Sequence, residues 1–594
     1  MLSYRLVIVI MVITIVCIYY VYNGSNKSEN RITDIIKNNL KTCQKSSGTI
    51  ISILKHNSKK HGNRIALQTK GEKGINDISY KNYYKNVKNF AESLKFWVGE
   101  NINVGIIGHS SPGWYYGYLG TMMNGGISVP ILATHNIEYI INDAQIEMLL
   151  VEDLNVLTNI NIQNVKLIVY YSPIDKHLIE KFKCPVLGIS NFMKERTSID
   201  NELKSSNIAT IVYTSDKKQK GISVTHKNIT SSLGSLVNSL IGANLELEFG
   251  EKLINHLPLN NLTNQLINIY LPIFIIGTIY FADSKILKGY LLDTIKLSKP
   301  TLYITTPHIY NKLQLDIEKH LEKYYVKGIV KMFGSSKIKK ELGLNNCKLF
   351  MSYGDFLPQD TKAYFQSIGI ELYNCYSMNE ATGFISISLP NKHQNDSVGR
   401  PLMKIMISKD NEIMIKGNNL FKNYHNSKKK ILKSGWYKTG DLGYLDANGY
   451  LYLKERKNEL IQLSNGKTVE PHKIEELLLK NLNHIIEYVI IIPYKSKYLS
   501  ALVIPKLNKK DKPVAKIREI DDKIISVNDC VKSKPLRKYI ENAINETNRN
   551  ITLNESKIKR HIILKHKFKL GDELTSTYRY NRKYINDTYK NILE

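Results

Sequence analysis

The chain has 594 residues, of which 43% are hydrophobic and 23% charged, so it has an ordinary globular composition but is too long for one hydrophobic core. Its net charge of +30 is unusual. Because the lysines are spread along the chain, and Lys, Asn, Ile and Tyr are all abundant, we attribute this charge to coding bias. We do not expect nucleic acid as a partner, and nucleic-acid binding stays the third and weakest hypothesis.

The cysteines are scattered, and no two lie close enough in sequence to suggest a zinc site or a disulfide framework. They are Cys17, Cys43, Cys184, Cys347, Cys375 and Cys530. This distribution is typical of a protein whose folded body faces the reducing cytosol.

The first predicted element is a hydrophobic segment from Leu6 to Tyr22, interrupted only by Thr14. As a helix it would be roughly 25 Å long at about 1.5 Å per residue, slightly short of a bilayer core of about 30 Å. Tyrosines at its end suit the membrane interface. A cleaved signal peptide is the alternative, but its hydrophobic stretch is normally shorter and ends in small residues. We predict an uncleaved transmembrane helix.

The charges beside this segment predict its orientation. Arg5 precedes it, and the basic residues that follow are Lys27, Arg31, Lys37 and Lys41. Because basic residues favour the cytosolic side, we expect a single-pass membrane protein with a cytosolic body, anchored in membrane lipid. The endoplasmic reticulum is the default membrane for this topology.

Patterns typical of helices and strands alternate along the rest of the chain. Ser79 is a predicted helix cap, because hydrophobic residues follow it at helical spacing. These residues are Tyr80, Tyr83, Val87, Phe90, Ala91 and Leu94. Short hydrophobic runs predict buried strands at 104–108, 148–151, 167–171 and 211–213, and the lysine-rich stretch 506–516 predicts a solvated loop. The alternation indicates an α/β fold with largely parallel sheets.

The most informative segment is a glycine-rich turn between Trp436 and Tyr452. It contains Asp441, whose ionised carboxylate could accept hydrogen bonds from both hydroxyls of a ribose. A short predicted strand then leads to Arg456 and Glu459. The spacing from Thr-Gly-Asp at 439–441 to Arg456 resembles that of the AMP-forming acyl-CoA synthetases, which belong to the adenylate-forming superfamily.

The order of landmarks resembles the long-chain acyl-CoA synthetases of the bubblegum type from about residue 47 to 594. These landmarks include the glycine turn at 125–130, Leu-Pro-Leu at 257–259 and Tyr-Leu-Pro at 270–272. The resemblance implies a large N-terminal domain of mostly parallel sheets flanked by helices, residues 29–457, and a small mobile α+β C-terminal domain, residues 458–594. Residues 1–28 would form the anchor and linker, and the hinge would lie near 456–459.

The resemblance also implies a two-step reaction that uses ATP, Mg²⁺ and CoA. The carboxylate of a long-chain fatty acid attacks the α-phosphate of ATP, which gives acyl-AMP and pyrophosphate. The thiol of CoA then displaces AMP after the small domain rotates. Because no covalent enzyme intermediate is needed, catalysis depends on positioning and charge stabilisation.

Several residues match positions that have functions in this family. Residues 376–383 resemble the motif Y-G-x-(S/T)-E-x-x-G, which makes Glu380 the implied Mg²⁺ ligand and Tyr376 an implied nucleotide contact. Asp441 is the implied ribose ligand, Arg456 binds the nucleotide or serves the hinge, and Gly466 belongs to a loop that faces CoA. Alternatively, Glu380 is a helix cap or salt-bridge partner and Arg456 forms an ordinary surface ion pair.

The segment that should bind phosphate departs from the family. The family loop is Y-T-S-G-T-T-G-x-P-K-G, whereas residues 213–221 are two residues shorter and keep one glycine, Gly221. Thr214, Ser215 and Lys220 are the other candidate ligands. Glycines let backbone N–H groups approach phosphate oxygens, and flexible lysines do not reproduce that arrangement. The loss of one well-placed donor typically lowers a rate by about 10²–10³.

Other motifs are altered as well. Arg579 occupies the position of the lysine in E-L-T-P-T-x-K-x-K-R that bridges the carboxylate and the α-phosphate, and we predict it to be catalytic with Glu380. Arginine keeps the charge but is bulkier and planar. Asn261 stands where many relatives have histidine. The adenine-side segment G-A-A-P is Tyr-Gly-Asp-Phe at 353–356, in which Gly354 is a candidate nucleotide contact.

Two main hypotheses follow. The first is a long-chain fatty acid–CoA ligase, divergent and slow, which the near full-length resemblance and the retained Glu380, Asp441 and Arg456 favour. The second is a catalytically dead pseudoenzyme of the same fold that binds acyl-CoA, fatty acid or a protein partner, which the altered phosphate loop and Arg579 favour. The phosphate loop separates the two, because the ligase hypothesis fails if residues 217–220 cannot contact phosphate.

Overall fold

The protein's structure, a computed structural model, describes most of the chain from residue 32 onward. The described ranges are 32–72, 74–200, 202–214, 219–283, 286, 289–325, 335–427, 434–494, 498–508, 511–551, 556–569, 571–575 and 579–593. The predicted membrane segment from Leu6 to Tyr22 and the centre of the phosphate loop, including Ser215, lie outside these residues. Within the described ranges, no helix combines the length and the apolar character needed to cross a bilayer.

The largest sheet has eight strands and supplies the parallel core of the N-terminal domain. In spatial order its strands are Asn423–Tyr424, Gly221–Thr225, Ile208–Tyr213, Ser128–Ile131, Val104–Ile107, Met148–Val151, Leu167–Tyr170 and Val186–Gly188. Adjacent strands from Ile208–Tyr213 to Val186–Gly188 run parallel, and the remaining two pair antiparallel. The four predicted strands are all found here, so the prediction of an α/β fold with parallel strands is confirmed.

Three smaller sheets complete the N-terminal domain. A five-stranded sheet consists of Leu302–Thr305, Leu349–Tyr353, Tyr373–Met378, Gly383–Ile387 and Arg400–Pro401. One four-stranded sheet consists of Lys252–Asn255, Thr278–Phe281, Ile65–Gly71 and Gly74–Ser79. An antiparallel sheet consists of Lys404–Ile407, Glu412–Lys416, Tyr437–Leu445 and Leu451–Arg456, and it carries the predicted ribose ligand.

Helices cover these sheets. In chain order the α-helices are Ile32–Cys43, Ile50–Lys60, Tyr80–Trp97, Pro112–Met123, Ile137–Asp143, Ile189–Phe192, His226–Gly242, Leu262–Gln265, Leu271–Ile275, Leu291–Ser298, Pro307–Tyr325, Ser335–Glu341, Gln359–Ser367, Pro471–Leu482, Ala515–Ile520, Val527–Lys532, Lys534–Arg549 and Arg582–Leu593. The 3₁₀ turns are Leu154–Leu157, Lys176–Lys181 and Asn379–Ala381, and Leu266–Tyr270 is a π-helical turn.

The helix Tyr80–Trp97 shows how local sequence determines these elements. The Ser79 hydroxyl accepts a hydrogen bond from the Asn82 backbone N–H at 3.3 Å, which satisfies one of the donors left unpaired at a helix start. All six residues of the predicted apolar face are buried, and this face packs against the helix Pro112–Met123. The predicted cap and buried face are therefore confirmed.

The hydrophobic clusters of the described residues divide into two sets. Three clusters draw their buried members from residues 32–451, and two draw theirs from residues 461–589. The second set surrounds a three-stranded sheet of Ile486–Tyr494, Tyr498–Pro505 and Ile558–Ile563, beside the hairpin of Ile461–Gln462 and Thr468–Val469. The chain therefore has a large N-terminal domain and a C-terminal domain. The boundary after residue 457 stays a prediction.

We expect acid to destabilise the N-terminal domain, because burial lowers the pKa of His135, His226 and His256 to about 4. Below pH 6.5 the unfolded chain binds protons at these histidines that the folded chain does not. The stability that the neutral histidines contribute is therefore present above pH 6.5 and is lost as the pH falls towards 4. Within that window, each histidine should lower the free energy of unfolding by about 1.4 kcal/mol per pH unit.

Urea unfolding at pH 7.0, 6.0 and 5.0 measures this loss. The matched variant is His135→Phe, since neither ring nitrogen of His135 has a hydrogen-bond partner in the described part of the chain. The variant should lower the number of protons taken up on unfolding by up to one, which makes the unfolding free energy less dependent on pH. An unchanged pH dependence would contradict the prediction.

Candidate active site

A cavity of about 1080 Å³ brings most of the predicted site residues together. The predicted residues that line it are Thr214, Gly354, Tyr376, Glu380, Asp441, Arg456 and Arg579. Arg579 belongs to the C-terminal domain, so the cavity lies where the two domains meet. Lys220, Gly221 and Gly466 are also described and lie outside its lining.

Asp441 and Arg456 are cross-strand neighbours in the hairpin at one wall of the cavity. Asp441 is buried, and its Oδ2 accepts a hydrogen bond from the Tyr376 hydroxyl. Its Oδ1 lies 2.9 Å from Arg456 Nε, but the N–H does not point at it, and neither atom has a hydrogen-bond partner among the described residues. Asp441 Oδ1 is therefore a buried acceptor that no described donor satisfies, although the residue itself lines the cavity.

Tyr376 remains a hydrogen-bond donor at ordinary pH. Burial, and then the charge of Asp441, hold the pKa of Tyr376 well above 10. The Asp441 charge in turn raises the pKa of Arg456 above its usual range. The three side chains lie together at one wall of the cavity, where Tyr376 is a hydrogen-bond donor and Asp441 and Arg456 carry opposite charges.

Glu380 lies in the turn Asn379–Ala381, which follows the strand Tyr373–Met378. Its Oε1 accepts a hydrogen bond from the Tyr424 hydroxyl at 2.9 Å, and the Tyr424 hydroxyl lies 2.9 Å from that of Tyr437. Burial raises the pKa of Glu380, and the Tyr424 hydrogen bond opposes that rise. The described residues contain no group of three or more His, Cys, Asp or Glu suited to a metal. A single carboxylate fits Mg²⁺, which usually keeps several waters and binds substrate phosphates.

The ends of the phosphate loop pair with each other. The Thr214 N–H donates to the Lys220 carbonyl at 3.1 Å, and the Lys220 N–H donates to Thr214 Oγ1 at 3.1 Å. The Lys220 ammonium lies 5.6 Å from the centre of the Tyr424 ring. A Cβ at Gly221 would lie 2.9 Å from His425 Cβ, so this glycine permits close strand pairing rather than contact with the cavity.

Two glycines occupy left-handed backbone positions with different surroundings. Gly354 has a φ of 93° and turns the chain into the cavity after the strand Leu349–Tyr353. Gly466 has a φ of 80° and lies at the tip of the hairpin between Ile461–Gln462 and Thr468–Val469. Glycine adopts such angles without steric cost.

Arg579 belongs to a series of alternating charges, which we name the charge chain: Asp355, Arg579, Glu459, Arg582 and Glu475. Arg579 Nε lies 3.8 Å from Asp355 Oδ1, and its Nη2 donates to Glu459 Oε2 at 3.2 Å. Arg582 donates from Nε to the same oxygen at 3.1 Å, and from Nη1 and Nη2 to Glu475 at 2.8 and 2.5 Å. Burial alone would raise the pKa of Glu459, but the surrounding arginines lower it overall.

Asn261 has a structural role that explains part of the departure from the family. Its Oδ1 accepts hydrogen bonds from the N–H groups of Thr263 and Asn264, at 2.9 and 3.2 Å, and so caps the helix Leu262–Gln265. Asn379 Oδ1 accepts from the Leu262 N–H at 2.9 Å. Both asparagines therefore secure a short helix at the cavity wall.

Sequence reasoning missed several residues of the site. The missed residues are Tyr424, Tyr437, His472 and Glu475. The roles of Asp355, Phe356 and Arg582 were missed as well. Tyr437 lies beside the ribose motif and Arg582 lies within the C-terminal signature, so their positions offered a signal. For Tyr424, His472 and Glu475 no local pattern indicated a place in the site.

Comparisons with known proteins find similarity over most of the chain. The family described as AMP-binding enzyme matches residues 54–425. Long-chain-fatty-acid--CoA ligase ACSBG2 of Homo sapiens is 28% identical over 621 residues, which cover 92% of this chain and 92% of that protein. Long-chain-fatty-acid--CoA ligase ACSBG1 of Homo sapiens is 25% identical over 610 residues, which cover 90% and 83%.

A solved structure shows the same fold. The A domain of carboxylic acid reductase from Segniliparus rugosus, in complex with AMP and a co-purified carboxylic acid, matches with a TM-score of 0.75. The identity is 14%, and the match covers 94% of this chain and 95% of that chain.

Proposed function

Because the chain belongs to the AMP-binding enzyme family, we propose that it is an AMP-forming long-chain fatty acid–CoA ligase. The family match and the relatives confirm the predicted resemblance to the bubblegum type. The observation that carries the proposal is that Asp441, Glu380 and Arg579 line one cavity. In the proposal, Asp441 is the ribose acceptor, Glu380 is the metal ligand and Arg579 is the cation of one substrate site.

Asp441 would hold the nucleotide. In this proposal its carboxylate accepts from the ribose hydroxyls, while Tyr376 donates to Oδ2 and Arg456 balances the charge. With the ribose fixed, the α-phosphate is directed towards the end of the cavity that Arg579 lines. An oriented phosphate lowers the entropic part of the barrier to attack by the fatty carboxylate.

Arg579 would stabilise the negative charge that develops on the α-phosphate as the carboxylate attacks. Its Nη2 is bound to Glu459, so the guanidinium is held before the substrate arrives and little reorganisation is needed. Glu380 suits Mg²⁺, which when bound supplies charge neutralisation at the phosphates. Tyr424 orients the Glu380 carboxylate through its hydrogen bond.

The thioester step requires a different arrangement of the domains. We propose that the C-terminal domain, from residue 458, turns about the segment 456–459 and brings the Gly466 loop towards CoA. The separate hydrophobic clusters of the two domains and the position of Gly466 outside the cavity support this proposal. On sequence grounds we also propose that residues 6–22 anchor the protein in a membrane, with a cytosolic body.

The test is acyl-CoA formation by the purified chain with Mg-ATP, CoA and a long-chain fatty acid. We expect pyrophosphate release that depends on the acid, and acyl-CoA only when CoA is present. A fatty alcohol of equal length is the matched control, because it lacks the attacking carboxylate. If neither the native chain nor Arg579→Lys forms acyl-AMP, the pseudoenzyme alternative replaces the proposal, and binding of ATP and acyl-CoA is measured next.

A further inference from the structure

Two consecutive residues of the N-terminal domain contact separate elements of the C-terminal domain at the cavity. Asp355 Oδ1 lies 3.8 Å from Arg579 Nε. The next residue, Phe356, stacks on His472 with ring centroids 4.2 Å apart and an angle of 24° between the planes. His472 is the second residue of the helix Pro471–Leu482, whereas Arg579 precedes the helix Arg582–Leu593. We name Asp355 and Phe356 the docking residues.

The docking residues and their partner Arg579 are all departures from the motifs of the family. By the resemblance described above, residues 353–356 correspond to G-A-A-P, which implies that a carboxylate and an aromatic ring stand where the family has alanine and proline. Arg579 stands in place of lysine. The structure brings the new carboxylate and the new guanidinium together across 224 residues of sequence.

The shape of the guanidinium lets Arg579 contact Asp355 and a second carboxylate at the same time. A lysine ammonium is a single point of charge, whereas the planar guanidinium offers donors on several edges. In Arg579, Nη2 donates to Glu459 and Nε lies 3.8 Å from Asp355 Oδ1, so the guanidinium contacts two carboxylates through different nitrogens. A lysine at 579 would have to bring both carboxylates to a single nitrogen.

We propose that Asp355 and Phe356 dock the C-terminal domain over the cavity and that Asp355 is a positioning residue that holds Arg579 towards the α-phosphate. The docking contacts stand on the geometry alone, while the positioning role rests on the proposed function. Asp355 acts through Arg579 and does not itself touch the substrate.

A double-mutant cycle on the full chain tests the positioning role, with Asp355→Ala, Arg579→Lys and the double variant. The readout is fatty-acid-dependent exchange of pyrophosphate into ATP. Asp355→Ala should lower kcat about tenfold, because a displaced charge stabilises the transition state less well. The KM for ATP should stay within about twofold, since Asp441 holds the ribose. In the Arg579→Lys background the same change should alter kcat less than about twofold.

The matched control is Asp360→Ala, the same chemical change at an exposed position of the neighbouring helix Gln359–Ser367. It should leave kcat and the unfolding temperature native. A tenfold loss from Asp355→Ala in both backgrounds, or no loss in either, would overturn the positioning role.

Hydrogen–deuterium exchange tests docking without any activity. In Asp355→Ala the amides of residues 571–575 and 579–582 should exchange faster, and in Phe356→Ala those of the helix Pro471–Leu482 should do so. In Asp360→Ala the exchange of both segments should stay native. Native exchange in both docking variants would overturn docking. If neither the native chain nor Arg579→Lys makes acyl-AMP, the proposed function and the positioning role fail, and this exchange result decides docking independently.

Discussion

Replacing Asp441 with alanine is expected to lower the rate of acyl-AMP formation by about 10²–10³, a loss comparable to that of a preorganised polar group in other active sites. The change removes the carboxylate that is proposed to accept from the ribose. It also leaves the Tyr376 hydroxyl and the Arg456 guanidinium without their shared partner. Pyrophosphate exchange measures the rate, and calorimetric titration with ATP measures the accompanying loss of affinity.

The variant Asp441→Asn separates charge from shape. Its amide oxygen can still accept the Tyr376 hydrogen bond, but the negative charge beside Arg456 is gone. We expect a loss smaller than that of the alanine variant and still at least about tenfold, since the charge-assisted interactions weaken. Native kcat and KM in Asp441→Ala would exclude Asp441 as the ribose ligand.

The second large effect is on stability. Arg582→Met should destabilise the C-terminal domain by about 3–5 kcal/mol, because it leaves the buried Glu475 carboxylate without its bidentate partner. Of its hydrogen-bond donors in the described part of the chain, Glu475 would keep the backbone N–H of Ile491, which donates at 2.7 Å. Urea unfolding followed by exchange of the amides in Ile486–Tyr494 reports this domain specifically.

The double variant Glu475→Gln with Arg582→Met is the matched control. It removes both charges, so no uncompensated ion stays buried, and it should cost less than the sum of the two single variants. The exposed pair of Lys516 and Glu519 gives a second comparison, since Lys516→Met should change stability by less than about 0.5 kcal/mol. A loss of stability below about 0.5 kcal/mol in Arg582→Met would contradict the prediction.

Local patterns predicted the elements of the fold that depend on neighbours in sequence. The helix Tyr80–Trp97 follows from its cap and its apolar spacing, and the strands of the large sheet follow from short buried runs. The meeting of Asp441 with Arg456 also has a local cause, because the two residues face each other in one hairpin.

Local sequence patterns did not predict contacts between residues that lie far apart in the chain. Tyr424 reaches Glu380 across 44 residues, and Asp355 reaches Arg579 across 224, and no periodicity encodes these distances. Lys220 was predicted to be a phosphate ligand from its place in a motif. That role stays a prediction. The Lys220 ammonium lies beside the Tyr424 ring, a long-range contact that the motif did not indicate.

The charge chain should make the contact between the domains and the fold of the C-terminal domain respond differently to ionic strength. Its outer pair, Asp355 with Arg579, is 28% and 18% exposed, whereas its inner pair, Glu475 with Arg582, is 5% and 9% exposed. Dissolved ions screen exposed charges far more than buried ones, over a Debye length of about 8 Å at 0.15 M. Added salt therefore weakens the contact between the domains well before it disturbs the fold of the C-terminal domain.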